Sequence, residues 1–308
     1  MKLSIVTTLY RSSAYVEEFH RRASEAARRV TDDYEIVMVD DGSPDNSLQL
    51  ACAIADADPH VRVVELSRNF GHHKALMAGL DHAQGALCFL IDSDLEEDPA
   101  LLGSFLDKMS ATDCDVVYGF QEQRKGDAFE SAGGRIAWYW ISKLYSIDIP
   151  RNQCTVRLMR REYVDALRLH RESNTVIGGL WVITGFRQIG AAIIKGHRSG
   201  TTTYSPRLRL GTLINGITSF STVPLNLMVM FGMATALTSF ALGIVVILEK
   251  LIRNTSAGWA SLIVSIWLMG GIIVFCLGVI GIYVSRIFVE TKNRPYVIVR
   301  RVHQRAAP

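Results

Sequence analysis

The chain has 308 residues, a formal net charge of +3 and 49% hydrophobic residues. That length suits one large domain with something smaller beside it, and a charge so near balance excludes a global design for binding nucleic acid. The hydrophobic residues are unevenly spread. The first two thirds read as a soluble protein, and the last third holds two long apolar runs without a charge.

In chain order, "LSIVTTL" (3–9) is strand-like and follows no basic-then-apolar leader, so no secretory signal is expected. Further β-branched runs stand at "YEIVMVD" (34–40), "VRVVEL" (61–66), "LCFLID" (87–92) and "DVVYG" (115–119). Helical patterns lie between them. Val16, Phe19, Ala23, Ala26 and Val30 fall on one helical face, with Glu17, Arg21, Arg28 and Arg29 on the other. "SPDNSLQLACAIADAD" opens with a cap-like Ser-Pro, and "DPALLGSFLDKM" places Asp98 as the cap with Pro99 in the first turn. Strands alternating with helices predict an α/β fold with a Rossmann-like, mostly parallel sheet. Ligands of such sheets sit beyond the carboxyl ends of the strands.

Residues 120–155 lose this regularity and read either as a mobile acceptor-side loop with a helix or as a solvated linker. In "PRLRLGTLINGITSFST" (206–222), Leu210, Leu213, Ile214 and Ile217 share one side, the pattern of an amphipathic helix at a membrane interface. The runs at 223–248 and 259–285 each exceed the roughly 20 residues that cross a bilayer. Arg207 and Arg209 precede the first run. Arg286, Lys292, Arg294, Arg300, Arg301 and Arg305 follow the second, so positive-inside bias predicts cytosolic termini. The expected organisation is a catalytic α/β domain over 1–205, the interface helix over 206–222, transmembrane helices over 223–248 and 259–285, and a basic cytosolic tail over 286–308. Five scattered cysteines without a CxxC pair predict reduced thiols in a cytosolic setting.

Carboxylates crowd the strand ends. Asp92 and Asp94 flank one residue after an apolar strand, and in extended structure residues two apart point the same way. Two like charges held close require a cation or proton between them, and carboxylate oxygens suit Mg²⁺ or Mn²⁺ together with phosphate oxygens. A simple turn is the competing reading, and Glu97 and Asp98 read as solvated. Asp40 and Asp41 end another strand in "VMVDDGSPDNS", where an acid accepts hydrogen bonds from a nucleobase or ribose, or merely starts an Asp-Gly turn. Neither GxGxxG nor GxxxxGK[ST] occurs, which removes support for dinucleotide and P-loop sites.

Taken together, "VDDGSPDNS", "LSRNFGHHKALMAGLDHAQG" and "IDSDLEEDP" resemble the family 2 glycosyltransferases of GT-A fold. "IPRNQCTVRLMRREYVDAL", "GLWVITGFRQ", "GTTTYSPRLRL" and the two terminal runs are similar to the membrane-anchored polyprenyl-phosphate branch, the dolichol-phosphate mannose synthase and bactoprenol glucosyltransferase type. The resemblance implies that Thr8, Tyr10, Asp40 and Asp41 line a nucleotide-sugar pocket. It implies that Asp92 and Asp94, with Glu96 where the family usually has Gln, hold Mg²⁺ or Mn²⁺ against the donor diphosphate. The family's Pro-x-Tyr-Asn-Glu start reads Thr8-Leu9-Tyr10-Arg11-Ser12, its Gly-Asp-Phe-Arg-Leu reads "QCTVRL", and its Gly-Glu-Ser-Lys-Tyr reads "GTTTY". An acidic donor contact and a basic phosphate contact are therefore missing. Arg198, Arg207 or Arg209 are candidates to replace the latter.

The implied reaction is inverting transfer of a sugar, UDP-linked by preference, to a polyprenyl phosphate such as undecaprenyl phosphate. A lipid monophosphate with a second pKa of about 6 is already ionised at neutral pH, so no general base is needed. The acceptor instead requires cations to hold it, and Arg124, Arg135 and Arg157 are the candidates, Arg124 alternatively being a solvated surface charge. Competing expectations are a transferase acting on a glycan or a lipid-linked sugar, and a degraded membrane scaffold or nucleotide sensor. "NRPYVIVRR" is expected either to pair as a strand with a neighbouring subunit, giving a homo-oligomer, or to be disordered.

Overall fold

The computed structural model describes residues 2–121, 150, 152–172, 177–194, 223–253 and 258–305. Expectations for Arg124, Arg135, Arg198, Arg207, Arg209 and the interface helix at 206–222 lie outside the described residues. The chain divides into two units: 1–131, 147–205 and 295–308 in the first, 132–146 and 206–294 in the second.

The first unit is a single eight-stranded sheet with helices. Its strands are β1 (Leu3–Leu9), β2 (Tyr34–Asp40), β3 (Val61–Leu66), β4 (Leu87–Leu90), β5 (Val116–Phe120), β6 (Gln153–Arg160), β7 (Gln188–Ala192) and β8 (Val299–Gln304). Their spatial order is β7-β5-β6-β4-β1-β2-β3-β8. Strands β1, β2, β3 and β4 run parallel, as the alternation of strand and helix patterns requires. Strands β1 and β2 are buried along their whole length, which explains why they read as continuous apolar runs rather than alternating ones.

Helices α1 (Val16–Arg28), α2 (Ser47–Ala57), α3 (His72–His82) and α4 (Leu101–Thr112) are the crossovers. Val16, Phe19, Ala23 and Ala26 of α1 are buried, while Glu17, Arg21, Arg28 and Arg29 are exposed. Two short helices follow, α5 (Arg161–Leu167) and α6 (Ile177–Ile183). Helix α4 starts later than its sequence pattern suggests. Asp98 caps a turn instead, its Oδ1 accepting the Ala100 N–H at 2.9 Å.

Two strands depart from the parallel pattern. Strand β6 lies antiparallel between β4 and β5, and β8 lies antiparallel to β3 at the sheet edge. The tail therefore pairs within its own chain, and the expected pairing with a neighbouring subunit is not what this structure shows. All five cysteines are free thiols.

The second unit contains α7 (Val223–Arg253) and α8 (Trp259–Thr291), both longer and more apolar than a bilayer crossing needs. Among the described residues of their most apolar stretches, 225–242 and 265–291, none is buried. Phe240, Trp267, Val274 and Phe275 all stand exposed. By length and composition the two helices are candidates for crossing a membrane.

Candidate active site

In the strand order 3-2-1-4 the chain reverses direction of progress between β1 and β4. The carboxyl ends of these neighbours open a crevice where an α/β sheet receives its ligand. Thr8 and Tyr10 leave β1 there, Asp40 and Asp41 end β2, and Asp92 follows β4. Four of the nucleotide-side residues expected from sequence, Thr8, Tyr10, Asp40 and Asp41, are thus carried to one edge with Asp92. Tyr10 is half exposed, a ring available for stacking.

The loops are held by buried polar contacts that sequence reading missed. Asp45 accepts hydrogen bonds from Ser43 Oγ at 2.5 Å, Ser47 Oγ at 2.6 Å and the Ser13 N–H at 3.1 Å. Burial opposes its charge, but these bonds outweigh burial and hold the Asp45 carboxyl below the usual carboxylate range. Ser47 Oγ accepts the Ser12 N–H at 2.9 Å, and Ser93 Oγ donates to the Thr8 carbonyl at 2.9 Å. Ser12, at the position where the family's acid is missing, is buried and accepts from the Tyr10 N–H. The hydroxyls thus join the loops after β1, β2 and β4.

Asp41 acts on a second loop. Its two oxygens accept the Phe70 N–H at 2.7 Å and the Gly71 N–H at 3.0 Å. Burial pushes its carboxyl upward against the pull of these N–H groups. Gly42 has φ of +62°, and a Cβ there would lie 2.6 Å from the Arg68 carbonyl carbon. Only glycine permits the two loops to cross so closely. Asp40 is buried, and its Oδ1 accepts no hydrogen bond. Burial, followed by lesser repulsion from Glu65 and Asp41, pushes its carboxyl up to about 6 against the Ser43 and Gly42 N–H groups.

The metal-side residues differ from expectation. Strand β4 ends at Leu90, so Asp92 and Asp94 lie beyond it, Asp94 in a turn with Leu95 at φ of +58°. Asp94 Oδ1 accepts the Glu96 N–H at 3.1 Å. Among the described residues no three His, Cys, Asp or Glu side chains gather into a metal-holding group, so Asp92, Asp94 and Glu96 are not assembled as one set here. The donor chemistry nevertheless fits a hard cation. Asp92 Oδ1 is buried and accepts no hydrogen bond, leaving lone pairs for a cation that completes its shell with diphosphate oxygens.

His72, the first residue of α3, is a site residue that sequence reading passed over. Its Nδ1 lies 3.1 Å from Thr8 Oγ1 and its Nε2 lies 3.5 Å from Asp92 Oδ1, so one imidazole spans the β1 and β4 ends. The signal was its place just after the glycine that opens a helix beneath the crevice.

Arg157 is held in the interior. It lies opposite Leu90 on β6, close to the right end of the sheet, yet it is fully buried. Its guanidinium stacks 3.0 Å from the Trp181 ring centroid and donates to the Thr155 and Cys154 carbonyls. Burial pulls it down to about 9, against the opposing pull of Tyr163 and Glu97. Glu97 is buried as well, not solvated as its sequence context suggests. Buried charges are costly unless met by partners, and the groups acting on Arg157 are Tyr163 first and Glu97 after it.

With this geometry in hand, comparison with known proteins is informative. Residues 4–168 match the family described as Glycosyl transferase family 2. The chain belongs to glycosyl transferase family 2. A Mycobacterium tuberculosis relative is 50% identical over 304 residues, covering 98% of this chain and 89% of the relative. The prophage bactoprenol glucosyl transferase homolog of Escherichia coli K12 is 32% identical over 311 residues, covering 98% and 99%. Among solved structures, glucosyl-3-phosphoglycerate synthase from Mycobacterium tuberculosis in complex with Mn²⁺, UDP and glucosyl-3-phosphoglycerate superposes with a TM-score of 0.42 at 20% identity, over 70% of this chain and 77% of that one. The family 2 chain described here is accordingly a glycosyltransferase with a GT-A type sheet and two candidate membrane-spanning helices.

Proposed function

We propose that this glycosyltransferase moves a sugar from a nucleotide-sugar donor, UDP-linked, to a polyprenyl phosphate at the cytosolic face of a membrane, with inversion at the anomeric carbon. The observation that carries the reading is one chain that gathers Asp40, Asp41 and Asp92 at the carboxyl ends of β2 and β4 and also carries two long, exposed apolar helices. A full-length relationship to a bactoprenol glucosyl transferase homolog supports it. Strand β8, which follows the second apolar helix, completes the sheet that precedes the first, which supports a topology with both flanks on one side.

Asp92 and Asp94 would hold Mg²⁺ or Mn²⁺, which supplies charge neutralisation for the departing diphosphate. The chain's own residues do the rest. Asp40 receives a donor N–H or hydroxyl, Tyr10 offers a ring face, and the serine contacts fix the three loops before substrate arrives. Asp41 fixes the 67–71 loop through the Phe70 and Gly71 N–H groups. The acceptor phosphate is already ionised and needs no proton removed, so its requirement is for cations. Arg124, Arg135, Arg198 and Arg207 are proposed for that role.

The test incubates membranes containing the protein with radiolabelled UDP-sugars, Mg²⁺ or Mn²⁺, and undecaprenyl phosphate, followed by organic extraction. A mild-acid-labile glycolipid is the expected product. Label confined to water-soluble glycan, or no metal-dependent transfer, would overturn the reading.

A further inference from the structure

The segment after the second apolar helix is joined to β3, the loop after it and α3 by four contacts. Tyr296 places its ring 5.5 Å from Lys74 Nζ on α3, two residues after His72. The Ile298 carbonyl accepts the Ser67 N–H at 2.9 Å, at the root of the 67–71 loop that Asp41 holds. On β8, Arg300 Nη1 donates to Glu65 Oε1 at 3.1 Å, and His303 Nε2 lies 3.0 Å from Glu65 Oε2.

Glu65 is the unusual member. It is only 8% exposed, in a strand whose other residues are apolar except Arg62. It pairs in register with Asp40 on the parallel neighbour β2. Partners in register on adjacent strands project from the same face. The Cys52 thiol of α2, raised by burial and then by Glu65, Asp56 and Asp40, marks that shared face. A buried carboxylate one rung from a pocket carboxylate is costly unless a cation meets it, and β8 brings Arg300 and His303 to it.

We propose that Tyr296–Gln304 is a positioning element for donor binding, in which Arg300 and His303 hold Glu65 and, through it, Asp40 and the 67–71 loop in the arrangement that receives the nucleotide. The inference rests on the proposed donor reading and adds to it a segment that lies beyond both apolar helices. Arg300 and His303 touch no substrate. Their effect passes through Glu65, so it falls on donor affinity and not on the chemical step. Neutralising Glu65 removes the need for them.

The experiment uses the full chain in nanodiscs and measures UDP binding by calorimetry with Mg²⁺ present, alongside thermal melting and steady-state kinetics. The double variant Arg300→Ala/His303→Ala is expected to weaken UDP binding about tenfold, the scale of one lost charge-assisted hydrogen bond. The donor KM rises with it while kcat stays near wild type. Adding Glu65→Gln to that variant brings UDP affinity back to within about threefold of wild type, because the uncompensated charge is gone. Arg300→Ala alone, at a mostly exposed side chain, gives a smaller loss in a chain that folds. Unchanged UDP affinity in the double variant overturns the inference, as does a loss that Glu65→Gln fails to reverse. Wild-type protein that binds no UDP overturns the donor reading itself, and this inference with it.

Discussion

Replacing Gly42 by alanine should damage stability and donor binding together. At φ of +62° an L-residue is strained, and the new methyl would sit 2.6 Å from both the Arg68 carbonyl carbon and the Asn69 nitrogen. Left-handed backbone costs about 1–2 kcal/mol for a residue with a Cβ, and forced overpacking adds about 1–3 kcal/mol. The neighbours are backbone atoms, so no side chain can swing aside to relieve them. A loss of about 2–5 kcal/mol follows, and at about 2–4 °C per kcal/mol for a domain of this size the melting temperature falls by at least several degrees. The 67–71 loop must shift, which lengthens the Phe70 and Gly71 contacts to Asp41 and weakens UDP binding. Gly103→Ala is the control. It lies inside α4 with nothing near the added methyl, and it should stabilise by about 0.5–1 kcal/mol. Scanning calorimetry and UDP titration of both variants decide the matter. A Gly42→Ala protein with wild-type melting and UDP affinity would refute the crossing-loop account.

Asp94→Ala is expected to abolish transfer while membrane insertion stays intact, checked by product formation and carbonate-resistant membrane association. His72→Ala should lower kcat/KM about tenfold by releasing Thr8 and Asp92 from one another, with Mn²⁺ affinity, read by electron paramagnetic resonance, reduced in parallel. Arg157→Ala should cost about 2–5 kcal/mol, because a fully buried side chain stacked on Trp181 is replaced by a cavity. A large drop in melting temperature is therefore expected, whereas a raised acceptor KM with unchanged melting would point to a phosphate ligand. Asp40 makes stability depend on pH. Its carboxyl is raised from 3.8 to about 6, so the folded chain holds a proton that the unfolded chain releases between those values. Stability contributed at low pH is thus lost as pH rises through about 4 to 6, by at most about 3 kcal/mol. Asp40→Asn should flatten that slope in denaturant titrations run across the window.

The first half of the sheet was legible because its strands are buried on both faces and separated by amphipathic helices. The runs at 3–9, 34–40 and 61–66 are strands over those same residues. Strand β4 ends at Leu90, two residues before the end of the run at 87–92. The antiparallel insertion of β6 has no local signature, because register across the sheet is decided by distant partners. Glu97 misled because an acid in a charge-rich run reads as solvated, while its burial is decided by distant parts of the chain. The tail left a strand and disorder both open, because a short apolar run does not name its neighbour, which proved to be β3 of the same chain. His72 and the serine contacts were hidden because short polar side chains near turns usually serve only the turn.

The position of β8 also dictates an order of assembly. Ribosomes release β3 long before β8 emerges, and the two apolar helices are synthesised in between. Until then the outer edge of β3 offers unpaired N–H and C=O groups, and Glu65 waits without Arg300 or His303. The eight-stranded unit of this protein therefore reaches its finished form only after the two apolar helices have been made. A chain stalled within the second helix would carry an open, sticky sheet margin, which gives cellular quality control a physical feature by which to find unfinished copies.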